Sequence, residues 1–275
     1  MQTPPLRPVS IGVSGQAYVG LEVKGKPFSA QQQWEQAWTY RNTSTRSSAR
    51  IYRDFAGRTR REWPAFPLSP DPPIVVEILD PVVGCQYTVD TQNHIAHRVT
   101  AMPFPENAAT GELTPERAAL LRSSMEFHTL PLPPPPLPGS EAARSMEGHG
   151  ESVSITAYPR GSKNVTEETL GTQRIEGVLA QGYRSITLMP SRSGDDALTV
   201  PYVYESWFSP EIDELVLRKT SDPRTGQSIH QLTHIVVGEP GPALFRVPAD
   251  CQIVDESGPF EIIYKRETSR MPKNG

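Results

Sequence analysis

The sequence is poor in the features that signal catalysis, membrane insertion or a disulfide framework. Only two cysteines occur among 275 residues, so a disulfide-rich secreted scaffold is excluded. No run of 18 apolar residues is present, which excludes an ordinary transmembrane helix. There is no Gly-x-Ser-x-Gly motif and no cysteine–histidine–asparagine signature. Nucleophilic catalysis therefore has little support, and we expect no enzyme activity.

Positive charge is also in short supply. The chain has 27 lysines and arginines against 31 acidic residues, for a net charge of −4. Nucleic-acid-binding proteins usually carry a basic balance, so we expect no nucleic-acid partner. The first ten residues lack a charged segment followed by an apolar run, so we expect no signal peptide in this stretch. Such a proline-rich start is compatible with the mature end of an exported protein.

Alternating apolar and polar residues fill the first part of the chain, about residues 11–100. If the residues around Trp34 form a strand, then Trp34, Trp38 and Tyr40 share one of its faces. Glutamine and alanine give the same stretch fair helix propensity, but a helix would scatter these aromatic residues, so we favour the strand. Residues 74–79 (IVVEIL) have apolar residues on both parities, with Glu77 as the exception, which predicts a central strand.

A second strand-rich part covers about residues 165–264. Its main predicted strands are residues 175–188, 200–208, 214–220 and 228–237. Short connections between consecutive strands predict an antiparallel meander. Gly177 and Gly182 lie inside a strand pattern, which indicates a bulge and a strongly curved sheet. Pro242 and Pro248 bracket one helical turn, which we expect to press Leu244 and Phe245 into the sheet.

The two strand-rich parts are separated by an insertion at residues 103–161. Its Thr114–Pro115–Glu116 segment is a good helix start, and a short helix is predicted over residues 117–127. Residues 130–152 are rich in proline and polar residues, which is typical of a flexible surface segment. We therefore predict a single domain over residues 1–275. Its fold is mainly β: a large curved antiparallel sheet, or open half-barrel, with one or two short helices as a plug.

Four local motifs resemble a group of uncharacterised bacterial exported proteins. They are residues 53–62 (RDFAGRTRRE), 170–177 (LGTQRIEG), 207–211 (WFSPE) and 242–250 (PALFRVPAD). That group is similar in architecture to the periplasmic lipoprotein carriers of the Lol type, in which an unclosed sheet wraps an apolar cavity plugged by helices. The resemblance covers about residues 16–100 and 165–264 and implies a periplasmic or otherwise exported protein. No ligand-contact motif of the carriers matches residue by residue, so no functional residue is carried over.

The aromatic residues provide the candidate ligand site. The cavity candidates are Trp34, Trp38, Tyr40, Tyr202, Tyr204, Phe208, Leu244 and Phe245. Inward-facing aromatic residues usually form core, whereas an open half-barrel would leave them lining a cavity. Both interpretations stay open at the level of the sequence.

Histidines and arginines supply two weaker hypotheses. His230 and His234 are four residues apart, but on a strand they would lie about 13 Å apart, so we expect solvated histidines and no metal. Seven arginines between Arg41 and Arg61 surround a predicted hairpin. They form either a patch for an anionic partner or a solvated sheet face paired with Asp54 and Glu62.

These observations lead to two functional hypotheses. The first is a non-catalytic extracytoplasmic binding protein for an apolar ligand or a lipid or lipoprotein moiety, with no cofactor and no membrane span. The alternative is a structural or partner-sensing envelope module that acts through protein–protein contacts. Whether Cys85 and Cys251 form a bridge is left open, because nothing in the sequence places them together.

Overall fold

The computed structural model describes residues 9–39, 43–65, 72–104, 114–125, 165–190 and 199–264. The strands of the first part are β1 (Val9–Val13), β2 (Ala17–Val19), β3 (Phe28–Trp38), β4 (Thr43–Arg53), β5 (Thr59–Pro64), β6 (Ile74–Asp80), β7 (Cys85–Asp90) and β8 (Ile95–Pro103). A helix, α1 (Pro115–Met125), follows. The later strands are β9 (Val165–Ile175), β10 (Val178–Pro190), β11 (Thr199–Ser209), β12 (Glu214–Asp222), β13 (Gly226–Val237), β14 (Gln252–Asp255) and β15 (Phe260–Tyr264). A 3₁₀ turn at Pro242–Phe245 lies between β13 and β14.

Thirteen of these strands form one open sheet. Its order is β14-β8-β7-β6-β5-β4-β3-β13-β12-β11-β10-β9, and β2 also pairs with β8. Pairing is antiparallel except at β8, where β14 and β2 both run parallel to it. The predicted mainly-β fold and open sheet are confirmed, although this edge makes the sheet mixed rather than purely antiparallel.

The parallel edge arises because two distant segments share one strand. β14 pairs with Ile95–Arg98, and β2 pairs with Ala101–Pro103. The two short strands thus lie end to end along β8 and cover its backbone groups, which would otherwise be exposed at a sheet edge. Pairing between segments so far apart in sequence leaves no local sequence signal.

Local sequence explains the strands of the first part. The alternation around Trp34 gives an 11-residue strand, β3, and not a helix. At the β4–β5 turn, Gly57 has a φ of +87°, and Asp54 Oδ1 accepts a hydrogen bond from Arg58 N at 2.8 Å. These are the turn residues expected for a hairpin. In β6, Val75 and Val76 point to opposite faces and are 0% and 4% exposed, which confirms the predicted central strand.

One face of the sheet carries Trp34 and Trp38, and we call it the tryptophan face. A two-stranded ribbon formed by β1 and β15 lies against it. Ile11 and Ile262 of this ribbon pack with Trp63 and Val75 of the sheet. The two ends of the described chain therefore meet each other and close this face over β4, β5 and β6.

The opposite face is covered over β5 to β8 by the segment that contains the 3₁₀ turn, and on the tryptophan face Phe260 of the ribbon also reaches His97 of β8. Val247 and Cys251 pack against a cluster made of Val76, Ile78, Val89 and Ala96. The backbone oxygen of Leu244 accepts a hydrogen bond from Arg60 Nη1 at 2.9 Å. Strands β5 to β8 are therefore sandwiched between two covering layers.

The predicted short helix is confirmed at Pro115–Met125, within two residues of the expected bounds. Thr114 Oγ1 accepts a hydrogen bond from Arg117 N at 3.3 Å, as an N-cap residue does. Ala119 packs on Phe208 and Leu215, which ties the helix to β11 and β12. It is the single α-helix among the described residues, and no helix in that part of the chain is long and apolar enough to cross a membrane.

Three bulges interrupt the later strands. They lie between Gly182 and Tyr183, between Trp207 and Phe208, and between Thr233 and Val236. The first confirms the bulge predicted from Gly182. The predicted proline-rich segment at residues 130–152 lies outside the described residues, and the single-domain organisation stays a prediction.

Candidate functional site

The register of the central strands brings four predicted aromatic residues onto one face. Trp38 of β3 pairs with Gly226 of β13, which in turn pairs with Asp222 of β12. One row further along the sheet, Ser228 pairs with Thr220, and Thr220 pairs with Tyr204. Residues directly opposite in a ladder share a face. Trp34, Trp38, Tyr202 and Tyr204 therefore lie on the tryptophan face, and we call these four residues the aromatic patch.

Gly226 lies beside Trp38 at the start of β13. Its φ is +130°, and an added Cβ would lie 1.9 Å from the Ala37 carbonyl oxygen. Only glycine fits such a position. The glycine thus allows the backbones of β3 and β13 to approach closely beside Trp38.

The patch is half-buried. Trp34, Trp38, Tyr202 and Tyr204 all have intermediate exposure, and the last three belong to none of the four hydrophobic clusters that the described residues form. Burial raises the pKa of Tyr204, and it also raises the pKa of Tyr202. Both phenols stay neutral at physiological pH, so each offers an apolar ring with a hydroxyl at its tip.

A stack of rings and guanidinium groups marks the border of the patch. Trp34 stacks on His230 with ring centroids 5.1 Å apart and an interplanar angle of 13°. The Arg61 guanidinium lies 5.0 Å from the Trp34 ring centroid and 5.1 Å from that of Trp63. Such distances are typical of cation–π contacts. Arg218 faces His230 in the β12–β13 ladder.

His230 corrects one prediction from the sequence. It was expected to be solvated, but it is 5% exposed. Burial, aided by the nearby Arg218 and Arg61, lowers its pKa to about 3. The imidazole is therefore neutral at physiological pH, and sequence spacing gave no signal for this because the stack depends on the β3–β13 register. His234, in contrast, is exposed.

The remaining predicted site residues lie elsewhere. Tyr40 is outside the described residues. Phe208 follows a bulge and packs with Leu215 and Ala119. Leu244 and Phe245 lie by Arg60 and Arg58 on the opposite face of the sheet, with Arg58 5.4 Å from the Phe245 ring. These three side chains do not join the aromatic patch.

The arginine-rich hairpin is largely neutralised. Arg58 pairs with Asp54 at 2.6 Å, and Arg60 pairs with Glu62 at 2.7 Å. Arg53, which is only 2% exposed, pairs with Glu214 at 2.9 Å. The Arg50–Glu62 pair at 3.7 Å crosses from β4 to β5 as predicted, whereas the Asp54 pair lies within the turn. Together these pairs disfavour a free basic patch for an anionic partner.

The two cysteines are both free thiols. Cys85 pairs with Thr100 at one end of β7, whereas Cys251 directly precedes Gln252, which pairs with Ile95 at the other end of β8. Five residues of strand separate the two ends, or about 16 Å. A bridge needs Cα atoms within about 7 Å. Cys251 instead lies beside His94 and Asp250, a set that could hold a metal.

Comparisons with known proteins give structural likenesses only. No family model matches the chain, and no curated protein matches it. An uncharacterized conserved protein from Thermus thermophilus is similar at 11% identity with a TM-score of 0.39, over 84% of this chain and 91% of that one. A LolA superfamily protein from Nitrosomonas europaea is similar at 8% identity with a TM-score of 0.28, over 82% and 92%.

A third similar structure is the MucA/MucB complex from Pseudomonas aeruginosa. Identity is 11%, the TM-score is 0.37, and the match spans 84% of this chain but 59% of that one. All three TM-scores are below 0.5, so the function of this chain has to be inferred from its own residues.

Proposed function

We propose that this chain is a non-catalytic, extracytoplasmic binding protein that receives an apolar ligand, such as a lipid or lipoprotein moiety, on the aromatic patch. The observation that carries the proposal is the meeting of Trp34, Trp38, Tyr202 and Tyr204 on one half-buried face. Covering a large aromatic side chain contributes about 1.5–3 kcal/mol. A ligand that covers the patch gains this free energy from several rings at once.

The chemistry of the patch supports a ligand with an apolar body and a polar end. Tryptophan and tyrosine suit surfaces that are apolar on one side and wet on the other. Thr220 and Ser228, whose side-chain oxygens are 2.6 Å apart, lie between the rings. The enclosed cavity next to the patch, lined by Phe28, Gln32 and His230 among others, is only about 10 Å³. That is the space of about one water molecule, so the ligand would lie on the open patch.

The groups near the patch offer little for catalysis. A general base works best when its pKa is near the operating pH, and the pKa of His230 is held at about 3. The hydroxyls of Thr220 and Ser228 hydrogen-bond to each other, with no activating histidine identified beside them among the described residues. We therefore favour binding over turnover.

Ligand content is the first test. The protein purified from its native host is extracted with organic solvent, and the extract is analysed by mass spectrometry. A stoichiometric lipid supports the proposal, and an empty extract contradicts it for the conditions of growth used.

Substitutions then test whether the ligand binds to the aromatic patch. Tyr202→Ala should weaken uptake of an environment-sensitive lipid probe by roughly tenfold, since losing one covered ring costs on the order of 1.4 kcal/mol or more. The matched control is Leu188→Ala, because Leu188 is 44% exposed on the neighbouring strand and points to the opposite face. Equal uptake by both variants would rule out the patch as the binding surface.

Strand β9 favours a second candidate function, recognition of a partner protein. Among the described residues it pairs only with β10, and eight of its eleven residues are exposed. A free sheet edge can accept a strand from another chain. Lysines block such edges, so Thr166→Lys with Gln173→Lys should release a protein that co-purifies through β9 and should leave lipid uptake unchanged.

A further inference from the structure

Parallel pairing of β14 with β8 brings together three side chains from two ends of the sequence. His94 ends the turn between β7 and β8, and Asp250 and Cys251 directly precede β14. The backbone nitrogen of Gln252 donates to the His94 carbonyl oxygen at 2.8 Å. This bond fixes the spacing between the turn and the incoming segment, so the three side chains meet through the sheet register.

The donor atoms of these side chains converge. One nitrogen of His94, one carboxylate oxygen of Asp250 and the Cys251 sulfur all lie within 4.8 Å of one another. The closest pair, His94 Nδ1 and Asp250 Oδ2, is 2.8 Å apart. We propose that His94, Asp250 and Cys251 bind a zinc-class divalent cation, with water in the fourth coordination position.

The identity of the donors selects the cation. Calcium and magnesium prefer oxygen ligands only, whereas a thiolate with an imidazole selects a borderline-soft ion such as Zn²⁺. A thiolate and a carboxylate together carry two negative charges, which balance the charge of the ion. A histidine–aspartate pair alone would be an ordinary surface ion pair. The Cys251 sulfur is the additional donor that makes this set suited to a metal ion.

The geometry needs only small adjustments. Zinc lies about 2.0–2.3 Å from nitrogen, oxygen and sulfur ligands, so tetrahedral ligand atoms are roughly 3.3–3.8 Å apart. The observed separations bracket this range, from 2.8 Å to 4.8 Å at most. The His94 and Asp250 side chains are 59% and 64% exposed, so both can rotate, and water can reach the fourth position.

The turn that carries His94 is stabilised by hydrogen bonds to the Asp90 side chain. Asp90 is 3% exposed. Its carboxylate accepts hydrogen bonds from the backbone nitrogens of Gln92 and Asn93 at 3.0 and 3.1 Å. A bound cation would therefore connect a rigid turn to the segment that covers the opposite face. The expected consequence is a tighter closure of the sheet at β8.

Cobalt substitution tests the site directly. Co²⁺ bound by a thiolate in a tetrahedral site gives an intense sulfur-to-metal charge-transfer absorption in the near ultraviolet. We expect this absorption at one equivalent in the wild-type protein and in Cys85→Ser, which removes the other thiol. Cys251→Ser should abolish it and should weaken Zn²⁺ binding by about a hundredfold, as loss of a direct ligand exceeds the 10- to 100-fold effect of outer-shell changes.

His94→Gly provides the second ligand test. Glycine tolerates the φ of 54° at this position, so the variant removes the imidazole without straining the turn. It should lose Zn²⁺ affinity to a similar degree. Unchanged Zn²⁺ affinity in both Cys251→Ser and His94→Gly would overturn the proposal, as would a cobalt complex without the charge-transfer absorption.

A measurement on the wild-type protein tests the site without relying on the correct folding of a variant. Zn²⁺ should slow alkylation of Cys251 in the native protein by at least about tenfold, whereas Mg²⁺ should not. Mass spectrometry of the labelled peptide reports the rate for Cys251 separately from that for Cys85. Equal alkylation rates with and without Zn²⁺ would overturn the site.

Discussion

Two halves of one sheet differ in what covers them. Strands β5 to β8 have the β1–β15 ribbon on the tryptophan face and the segment around the 3₁₀ turn on the opposite face. Among the described residues, the second half has α1 packed on β11 and β12, and Val178 and Val216 form a buried cluster with Phe28 of β3. Val75 and Ile78 of the first half are 0% exposed, whereas eight of the eleven residues of the edge strand β9 are exposed.

The strands themselves do not account for this difference. Both halves consist of alternating apolar and polar residues that pair in an antiparallel ladder. What differs is where the ends of the chain go, because β1, β15 and the 3₁₀ segment all lie over the first half. Trp63 of the first half is therefore core, whereas Tyr202 and Tyr204 of the second half are half-buried and belong to none of the buried clusters.

A pair of tryptophan substitutions tests this contrast with the largest expected effect. Trp63 is 3% exposed beneath the ribbon, so Trp63→Ala should lower the free energy of unfolding by about 3–5 kcal/mol. Trp38 is half-buried outside that cluster, so Trp38→Ala should cost about 1 kcal/mol. Urea denaturation followed by circular dichroism measures both.

The same pair separates core from binding surface. Trp38→Ala should reduce lipid-probe uptake in a folded protein. A loss of stability in Trp38→Ala as large as that in Trp63→Ala, with normal uptake, would make the aromatic patch core and would reject the binding function.

The seam between the halves depends on a buried ion pair. Arg53 of β4 is 2% exposed, and its Nη1 donates to Glu214 of β12 at 2.9 Å. Its Nε also donates to the Lys26 carbonyl oxygen at 3.1 Å. Removing one partner of a buried pair typically costs 3–5 kcal/mol. Arg122 Nε stays 3.3 Å from Glu214, so we expect Arg53→Ala to cost about 3 kcal/mol in urea denaturation.

A variant that removes both charges tests whether the cost comes from the Glu214 carboxylate, which in Arg53→Ala has lost its shorter arginine contact and keeps the one to Arg122. Arg53→Met with Glu214→Gln should recover part of the stability that Arg53→Ala loses, since no buried charge is left alone. A double variant less stable than Arg53→Ala would point instead to the lost hydrogen bonds of the guanidinium group.

Acid should weaken the border of the aromatic patch through His230. Its pKa is about 3 when folded and about 6.5 when unfolded. Between these values the unfolded chain binds a proton that the folded chain does not, so the free energy of unfolding falls as the pH falls through this window. The slope due to this one group reaches about 1.4 kcal/mol per pH unit. Above pH 6.5 the effect disappears.

His230→Phe is the matched variant for this prediction, because phenylalanine keeps a ring against Trp34 and has no titrating group. Urea midpoints at several pH values should show a steeper decline for the wild type than for the variant below about pH 6. Parallel curves would mean that His230 titrates normally in the folded protein.

Much of the sheet could be predicted from the sequence because strands reveal themselves locally. The alternating pattern predicted that Trp34 and Trp38 share one face of a strand. The apolar residues on both parities of residues 74–79 predicted a strand with buried residues on both faces. Asp54 and Gly57 gave the hairpin, and Gly182 gave a bulge. Each of these depends on residues close together in the chain.

The missed features depend on register and on distant pairing. The bulge between Trp207 and Phe208 shifts the ladder by one residue, and such a shift exchanges the faces of a strand. Phe208 consequently packs with α1 and not with Tyr204. The sequence also could not indicate which face Leu244 and Phe245 would cover, nor that β1 would pair with β15, because no local pattern records either contact.

The smallest expected effect is at the far end of the strand that carries Arg53. Arg46, also on β4, pairs with Glu35 across the β3–β4 ladder at 2.9 Å, but its side chain is 73% exposed. Water and salt screen such a pair, and ordering two long side chains opposes it, so exposed pairs contribute about 0.2–1 kcal/mol. We expect Arg46→Gln to change the free energy of unfolding by less than about 0.5 kcal/mol, and addition of salt should remove that difference. Arg53 and Arg46 lie on the same strand and each pairs with a glutamate at 2.9 Å. Their contributions to the free energy of unfolding would then differ at least about fivefold. A loss near 3 kcal/mol in Arg46→Gln would show that the outer ends of β3 and β4 are covered in the folded protein and that this part of the sheet is not open.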